Sequence, residues 1–216
     1  MPVPAPPYPV NLVLSGRRVL VVGGGVVAAS KVRGLLAADA VVHVVARAVG
    51  PDVRALPVTW DERPYVRGEI AHYRYVVACT DDPAVNQAVF DDCEAAGVFV
   101  NAADDPARCT ATLPARLDRG PLLVTVSTSG HSPALAGWLR DRLAEVVGPE
   151  YEELVAVLAD ARAELAAAGR SAPVATWRQA LDSGMLELIR DGRSGDAKAR
   201  LTGMLDIAGE LPPETN

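Results

Sequence analysis

The first hundred residues alternate between short apolar runs and longer amphipathic stretches. VLVV, ending at Val22, is continuously apolar, as expected for a strand covered on both faces of a parallel sheet. Three glycines follow, then Val27, Lys31 and Leu35 at helical spacing, then a second apolar run at Val41–Ala46. This is strand, glycine turn, helix, strand: one βαβ unit. YVVACT (75–80) reads as a strand, DPAVNQAVFDDCEAAG (82–97) as a helix with a glycine stop, and VFVNAA (98–103) as another strand. The alternation predicts an α/β fold, a Rossmann-type doubly wound parallel sheet over residues 11–105.

The rhythm changes after Asp105. Residues 106–150 hold two short strand-like segments around the turn DRGP, then a helix with Ser132 as N-cap and Pro133 at its first position. This segment predicts a small α+β unit. From 151 to 216 the chain reads as helical, with Leu154, Leu158, Ala161 and Leu165 on one apolar stripe. Breaks at 166–173 and 192–195 divide that region into three helices, and the tail LPPETN reads as frayed. Residues 1–10, with five prolines in MPVPAPPYP, predict a flexible extended arm rather than a signal peptide.

Composition narrows the function. Half of the 216 residues are hydrophobic, enough for a sizeable core, but no apolar run is long enough to span a bilayer. A net charge of −6 argues against nucleic acid as a partner. Cys79, Cys93 and Cys109 show no CxxC spacing, so neither a disulfide framework nor a permanent metal site is expected, and the chain reads as cytoplasmic. Charge is uneven: residues 106–143 carry Arg108, Arg116, Arg119, Arg140 and Arg142 against Asp118 and Asp141, a surplus suited to an anion.

Gly23, Gly25 and Ala28 fit GxGxxA. The first glycine allows the tight turn, the second lets backbone approach a pyrophosphate, and the small third residue lets helix pack on strand. One part of the fingerprint is missing. Arg47 stands where an acid should hold the adenosine ribose. An arginine there can take a 2′-phosphate, stack on adenine or stay solvated, so local chemistry leaves NAD and NADP both open. The short-chain dehydrogenase reading fails, because no tyrosine is followed four residues later by lysine.

Four motifs in order, YPVNLVLSGRRVLVVGGGVVAASKVRGLL, VVACTDDPAVNQAV, VFVNAADDP and PLLVTVSTSGHSPALAGWLRDRL, resemble the precorrin-2 dehydrogenase and sirohydrochlorin ferrochelatase family, the N-terminal module of siroheme synthase. The resemblance runs from about Tyr8 to Val147, more weakly through the C-terminal helices. It implies NAD⁺-dependent oxidation of precorrin-2, a polycarboxylate tetrapyrrole, to sirohydrochlorin. In bifunctional members Fe²⁺ is then inserted as a substrate to give siroheme. It also implies a homodimer with a middle dimerisation segment, and favours NAD. Carried onto this chain, the cofactor loop is Gly23–Ala28 with Val26 and Val27 on the turn. Arg47 and Ala48 lie by the adenosine, and Thr80 and Asp81 near the cofactor. Asp104 matches the catalytic aspartate, with Asn101 beside it.

Thr128 replaces a serine common in relatives, and Cys79 replaces an alanine. Asp104 is read as a proton acceptor, whereas Asp105, before a proline, is read as a turn residue. For the substrate carboxylates, Arg108, Thr128, Ser132 and the helix start at Ser132 are candidates. His131 is either an acid/base group or a polar loop residue, and His43 is read as structural. The competing class is an NAD(H)-sensing regulatory module without catalysis, which usually keeps the ribose acid and lacks the Asn101–Asp104 pair. A dehydrogenase without chelatase activity, and a piece of a longer methyltransferase fusion, are further alternatives.

Overall fold

A computed structural model describes residues 6–205. Residues 1–5 of the expected arm and the tail LPPETN lie outside them. Residues 6–10 are exposed and without regular structure.

The chain divides into two compact units. The first runs to Pro114 and includes Ser127–Pro133. It contains β1 (Arg18–Val22), α1 (Val26–Ala37), β2 (Val41–Ala46), α2 (Pro51–Arg54), β3 (Thr59–Glu62), β4 (Tyr75–Ala78), α3 (Pro83–Ala96) and β5 (Phe99–Ala102). The five strands form one parallel sheet in the order β3-β2-β1-β4-β5. The doubly wound sheet is therefore present, with its direction of winding reversing between β1 and β4.

Alternation along β1 explains why VLVV is continuously apolar. Val19 and Val21 enter one core with Ala28, Val32 and Val53, while Leu20 and Val22 enter the opposite core with Val89, Cys93 and Val100. Both faces are covered, so neither register of the pleat has a polar side. Each fully buried valine or leucine contributes about 1.5–3 kcal/mol relative to exposure, which makes this strand the anchor of the unit. α3 begins at Pro83 with Asp82 as N-cap, its carboxylate accepting from the Ala84 and Val85 N–H groups, and it stops at Gly97 in the left-handed region.

The second unit holds Ala115–Val126 and the chain from Ala134 onward. β6 (Ala115–Arg119) and β7 (Leu122–Val126) pair antiparallel around Gly120, the hairpin expected at DRGP. α4 spans Pro133–Val146, starting at the predicted proline. Among the described residues four helices follow rather than three: α5 (Glu150–Ala167), α6 (Val174–Leu181), α7 (Met185–Arg190) and α8 (Ser194–Met204). The additional break falls at Gly184, whose φ of 88° ends any continuous helix between 174 and 190. Leu154, Ala161 and Leu165 of the expected stripe are buried against Met185, Leu188 and Leu201, with Leu158 half-buried beside them. Among the described residues no helix is long and apolar enough to cross a membrane.

Candidate active site

The carboxyl ends of β1 and β4 border a cavity of about 650 Å³, at the point where the strand order reverses. Such switch points leave a crevice because the flanking connections depart to opposite faces of the sheet. Five segments line it: the glycine turn, the segment after β2, the Pro64–Tyr65 segment and the turns that follow β4 and β5.

The three consecutive glycines do different work. Gly23 has φ 134°, and a Cβ there would lie 2.5 Å from the Cys79 carbonyl oxygen, so side-chain-free backbone is required where β1 meets the end of β4. A Cβ on Gly24 would lie 2.1 Å from the Ala48 carbonyl oxygen, and the Gly24 carbonyl accepts from the Gly50 N–H at 2.9 Å. Gly24, outside the GxGxxA pattern, thus seals the turn against the segment after β2. At Gly25 a Cβ would meet nothing within 4 Å. Gly25 is also the N-cap of α1, with no capping side chain and no acid in the first turn. An open space before uncapped helix amides fits a pyrophosphate, whose oxygens accept those N–H groups. Ala28 lies fully buried beneath, where its small size admits close helix packing.

Gly23, Gly25, Val26, Val27, Arg47, Ala48, Thr80, Asp81 and Asp104 all line this one cavity. Thr80 is held in place rather than simply exposed. Its hydroxyl donates to the Asn86 Oδ1 at 2.8 Å, and the Asn86 Nδ2 donates back to the Thr80 carbonyl at 3.0 Å. Asn86 and Asp82 were not assigned roles from sequence, although VVACTDDPAVNQAV contains both; the threonine six residues before an asparagine across a helix start was the available signal. Arg47 reaches across to Asp82, Nη2 to Oδ2 at 3.7 Å.

Two further supports were illegible. Glu62, at the end of β3, accepts from the Val49 N–H at 2.9 Å and pairs with Arg54 at 2.5 Å. The Val49 N–H and then Arg54 lower the Glu62 pKa. Asp92 on α3 accepts from Tyr65 Oη at 2.7 Å, Arg67 Nε at 2.6 Å and the Gly68 N–H at 2.8 Å, fixing the segment that contributes Pro64 and Tyr65 to the cavity. Burial raises the Asp92 pKa, but these hydrogen bonds overcome it and leave the value lowered. A depressed carboxylate stabilises the fold above its unfolded value and loses that contribution as pH falls through the folded one. Asp92→Ala is expected to free Tyr65 and weaken dinucleotide binding about three- to tenfold, read by fluorescence titration.

Asp104 is exposed at the cavity edge with φ 60°, a left-handed conformation that aspartate tolerates better than most residues. The turn beneath is pinned by Cys109, whose Sγ lies 3.3 Å from the Ala102 N–H, the Ala102 carbonyl and the Asp105 carbonyl. Asp105 points elsewhere and pairs with Arg108, which also donates to Gln87. Asn101 is buried within β5, donating to the Ala111 carbonyl at 3.0 Å, and does not line the cavity. Neither does Arg108. Thr128, His131 and Ser132 form a separate turn, with Thr128 Oγ1 accepting from the Ser132 N–H at 3.1 Å and the Thr128 carbonyl from the His131 N–H at 2.9 Å. The other arginines of the basic stretch are engaged: Arg116 with Asp118, Arg119 with the Val147 carbonyl, Arg140 with Asp141 and Arg142 with Glu145. Exposed pairs of this kind are worth about 0–1 kcal/mol, so an incoming carboxylate can displace them. His43 bonds Thr59 across β2 and β3 at 2.8 Å.

Burial pushes Cys79 up to about 11 and also raises Cys109, so both stay protonated at neutral pH. Among the described residues no group of three potential ligands could hold a metal ion.

Comparison with known proteins agrees with this geometry. An NAD(P)-binding family model matches residues 10–115, and one described as the sirohaem biosynthesis protein central region matches residues 119–145. The siroheme synthase of Pseudomonas putida strain W619 is 43% identical over 150 residues, 68% of this chain and 32% of that protein. The siroheme synthase of Nitrosomonas eutropha is 32% identical over 213 residues, 95% of this chain and 45% of that protein. The chain spans less than half the length of these relatives. A solved structure, SirC, precorrin-2 dehydrogenase, superposes with a TM-score of 0.70 and 23% identity, covering 91% of this chain and 99% of that one, which shows a shared fold.

Proposed function

We propose that the chain, similar to the NAD-binding and central modules of siroheme synthases, oxidises precorrin-2 to sirohydrochlorin with NAD⁺ in the cytoplasm. The observation that carries the reading is the shared cavity: an uncapped glycine-turn helix and the carboxylate of Asp104 line one crevice at the sheet's switch point.

The nicotinamide supplies a hydride acceptor. The chain's own residues do the rest. Gly25 and the α1 amides hold the pyrophosphate, Arg47 and Ala48 border the adenosine, and Thr80 and Asp81 face the cofactor from the end of β4. Asp104, from the end of β5, accepts the proton that precorrin-2 loses with its hydride. Its exposure leaves it open to a substrate as large as a tetrapyrrole. Arg108, Thr128, His131 and Ser132 contact substrate carboxylates, and Asn101 acts from beneath by bracing the strand that delivers Asp104.

Ferrochelation is assigned to the same carboxylate, as acceptor of the pyrrole N–H protons while Fe²⁺ enters as substrate. The segment 106–150 serves dimerisation. Leu135, Trp138 and Leu139 of α4 are exposed, an apolar face suited to a second copy of the chain. The test is anaerobic absorbance of purified protein with precorrin-2 and NAD⁺, followed by Fe²⁺. NADH and sirohydrochlorin appearing together support the dehydrogenase, and a siroheme spectrum faster than the protein-free control supports the chelatase. No NADH with either NAD⁺ or NADP⁺ would leave a nucleotide-sensing module as the better account.

A further inference from the structure

A dinucleotide fold that uses NAD normally places an acid at the end of its second strand. That acid accepts from the ribose hydroxyls and repels a 2′-phosphate. Here the position holds Arg47, and arginine alone would favour the phosphate. The nearest acid on that side, Glu62, is committed to the Val49 N–H and to Arg54 and does not line the cavity. Across the cavity stands Asp82. One of its oxygens, Oδ1, caps α3 by accepting from the Ala84 N–H at 2.9 Å and the Val85 N–H at 3.4 Å. The other, Oδ2, lies 3.7 Å from Arg47 Nη2. Both residues line the same cavity as the glycine turn.

We propose that Asp82, delivered from the end of β4, replaces the missing second-strand acid and selects NAD(H) over NADP(H) by holding Arg47 and repelling a 2′-phosphate. This rests on the nicotinamide-cofactor reading above. The cap makes the arrangement rigid: with Oδ1 fixed on the helix amides, Oδ2 cannot turn away when an anion approaches Arg47. A 2′-phosphate must therefore either break the Arg47–Asp82 pair and sit beside a fixed carboxylate, or forgo Arg47. The unphosphorylated ribose does neither, and its hydroxyls can donate to Oδ2.

The test is equilibrium binding of NADH and NADPH, followed by cofactor fluorescence, to wild type and to Asp82→Asn. Asparagine caps a helix about as well as aspartate, so the substitution removes charge while keeping α3; Asp82→Ser gives a second neutral cap. Wild type is expected to bind NADH more tightly. Each neutral variant is expected to tighten NADPH about five- to tenfold while NADH weakens about two- to fivefold, because its ribose hydroxyls lose a charged acceptor. Adding Arg47→Ala to Asp82→Asn should cancel the gain, because the phosphate loses its cation. An NADPH-to-NADH affinity ratio unchanged in both neutral variants, or a wild type that prefers NADPH, overturns the proposal while the dehydrogenase reading stands. Wild type binding neither cofactor overturns both.

Discussion

Asp104→Asn is expected to lower the rate of sirohydrochlorin formation by about 10²- to 10⁴-fold, the usual range for loss of a positioned proton acceptor. The structure makes asparagine the informative replacement. Asp104 holds φ 60°, and asparagine shares aspartate's tolerance of that region, so the backbone turn should survive. Alanine there would add roughly 1 kcal/mol of backbone strain and confuse the two effects. NADH affinity and thermal stability should stay near wild type, because the described contacts of the turn come from its backbone and Cys109 rather than from the Asp104 side chain. The neighbour provides the contrast. Asp105 pairs with Arg108, and Asp105→Asn should change turnover less than about threefold, since a half-exposed pair contributes little. Two-phase kinetics separate the steps: if only siroheme formation falls in Asp104→Asn, the carboxylate belongs to metal insertion alone.

The glycine turn gives the second large effect, through a difference between adjacent positions. Gly25→Val should leave the fold intact and weaken NADH binding at least about 100-fold. Nothing lies within 4 Å of a Cβ at Gly25, and its φ of −86° suits any residue. The added side chain therefore occupies only the space that the pyrophosphate needs. Gly23→Val should fail at the earlier stage of folding. Its Cβ would meet the Cys79 backbone at 2.5 and 2.8 Å, with φ 134° adding strain. Neither β1 nor β4 can move aside, because Val22 and Ala78 are paired in the centre of the sheet. Thermal melts and fluorescence titration together distinguish the two outcomes. A Gly25→Val protein that binds NADH normally would show that the pyrophosphate lies elsewhere.

What sequence reveals here follows from where the physics is local. β1 and β4 are legible because burial on both faces demands unbroken apolar runs, and β2 and β5 because their apolar runs are broken only by His43 and Asn101. β3 is not: TWDE is exposed along its whole length and exists by pairing with β2. The glycine fingerprint is legible because its positions fall within one six-residue turn, whereas the Cys79 backbone that Gly23 accommodates belongs to a distant strand end. The Tyr65 hydroxyl with Asp92, and the Val49 N–H with Glu62, join groups 27 and 13 positions apart, and no periodicity announces them. The break at Gly184 is set by one left-handed residue. Asp104 stood out from its resemblance to a family motif, while its left-handed backbone and its place at the mouth of the cavity are properties of the fold.

The most direct measurement uses precorrin-2 deuterated at the carbons that lose hydrogen, incubated anaerobically with the protein and NAD⁺, with mass spectrometry of both products. Hydride transfer from precorrin-2 to NAD⁺ requires one deuterium in each NADH, formed mole for mole with sirohydrochlorin. Unlabelled NADH, or sirohydrochlorin formed without NADH, would contradict it.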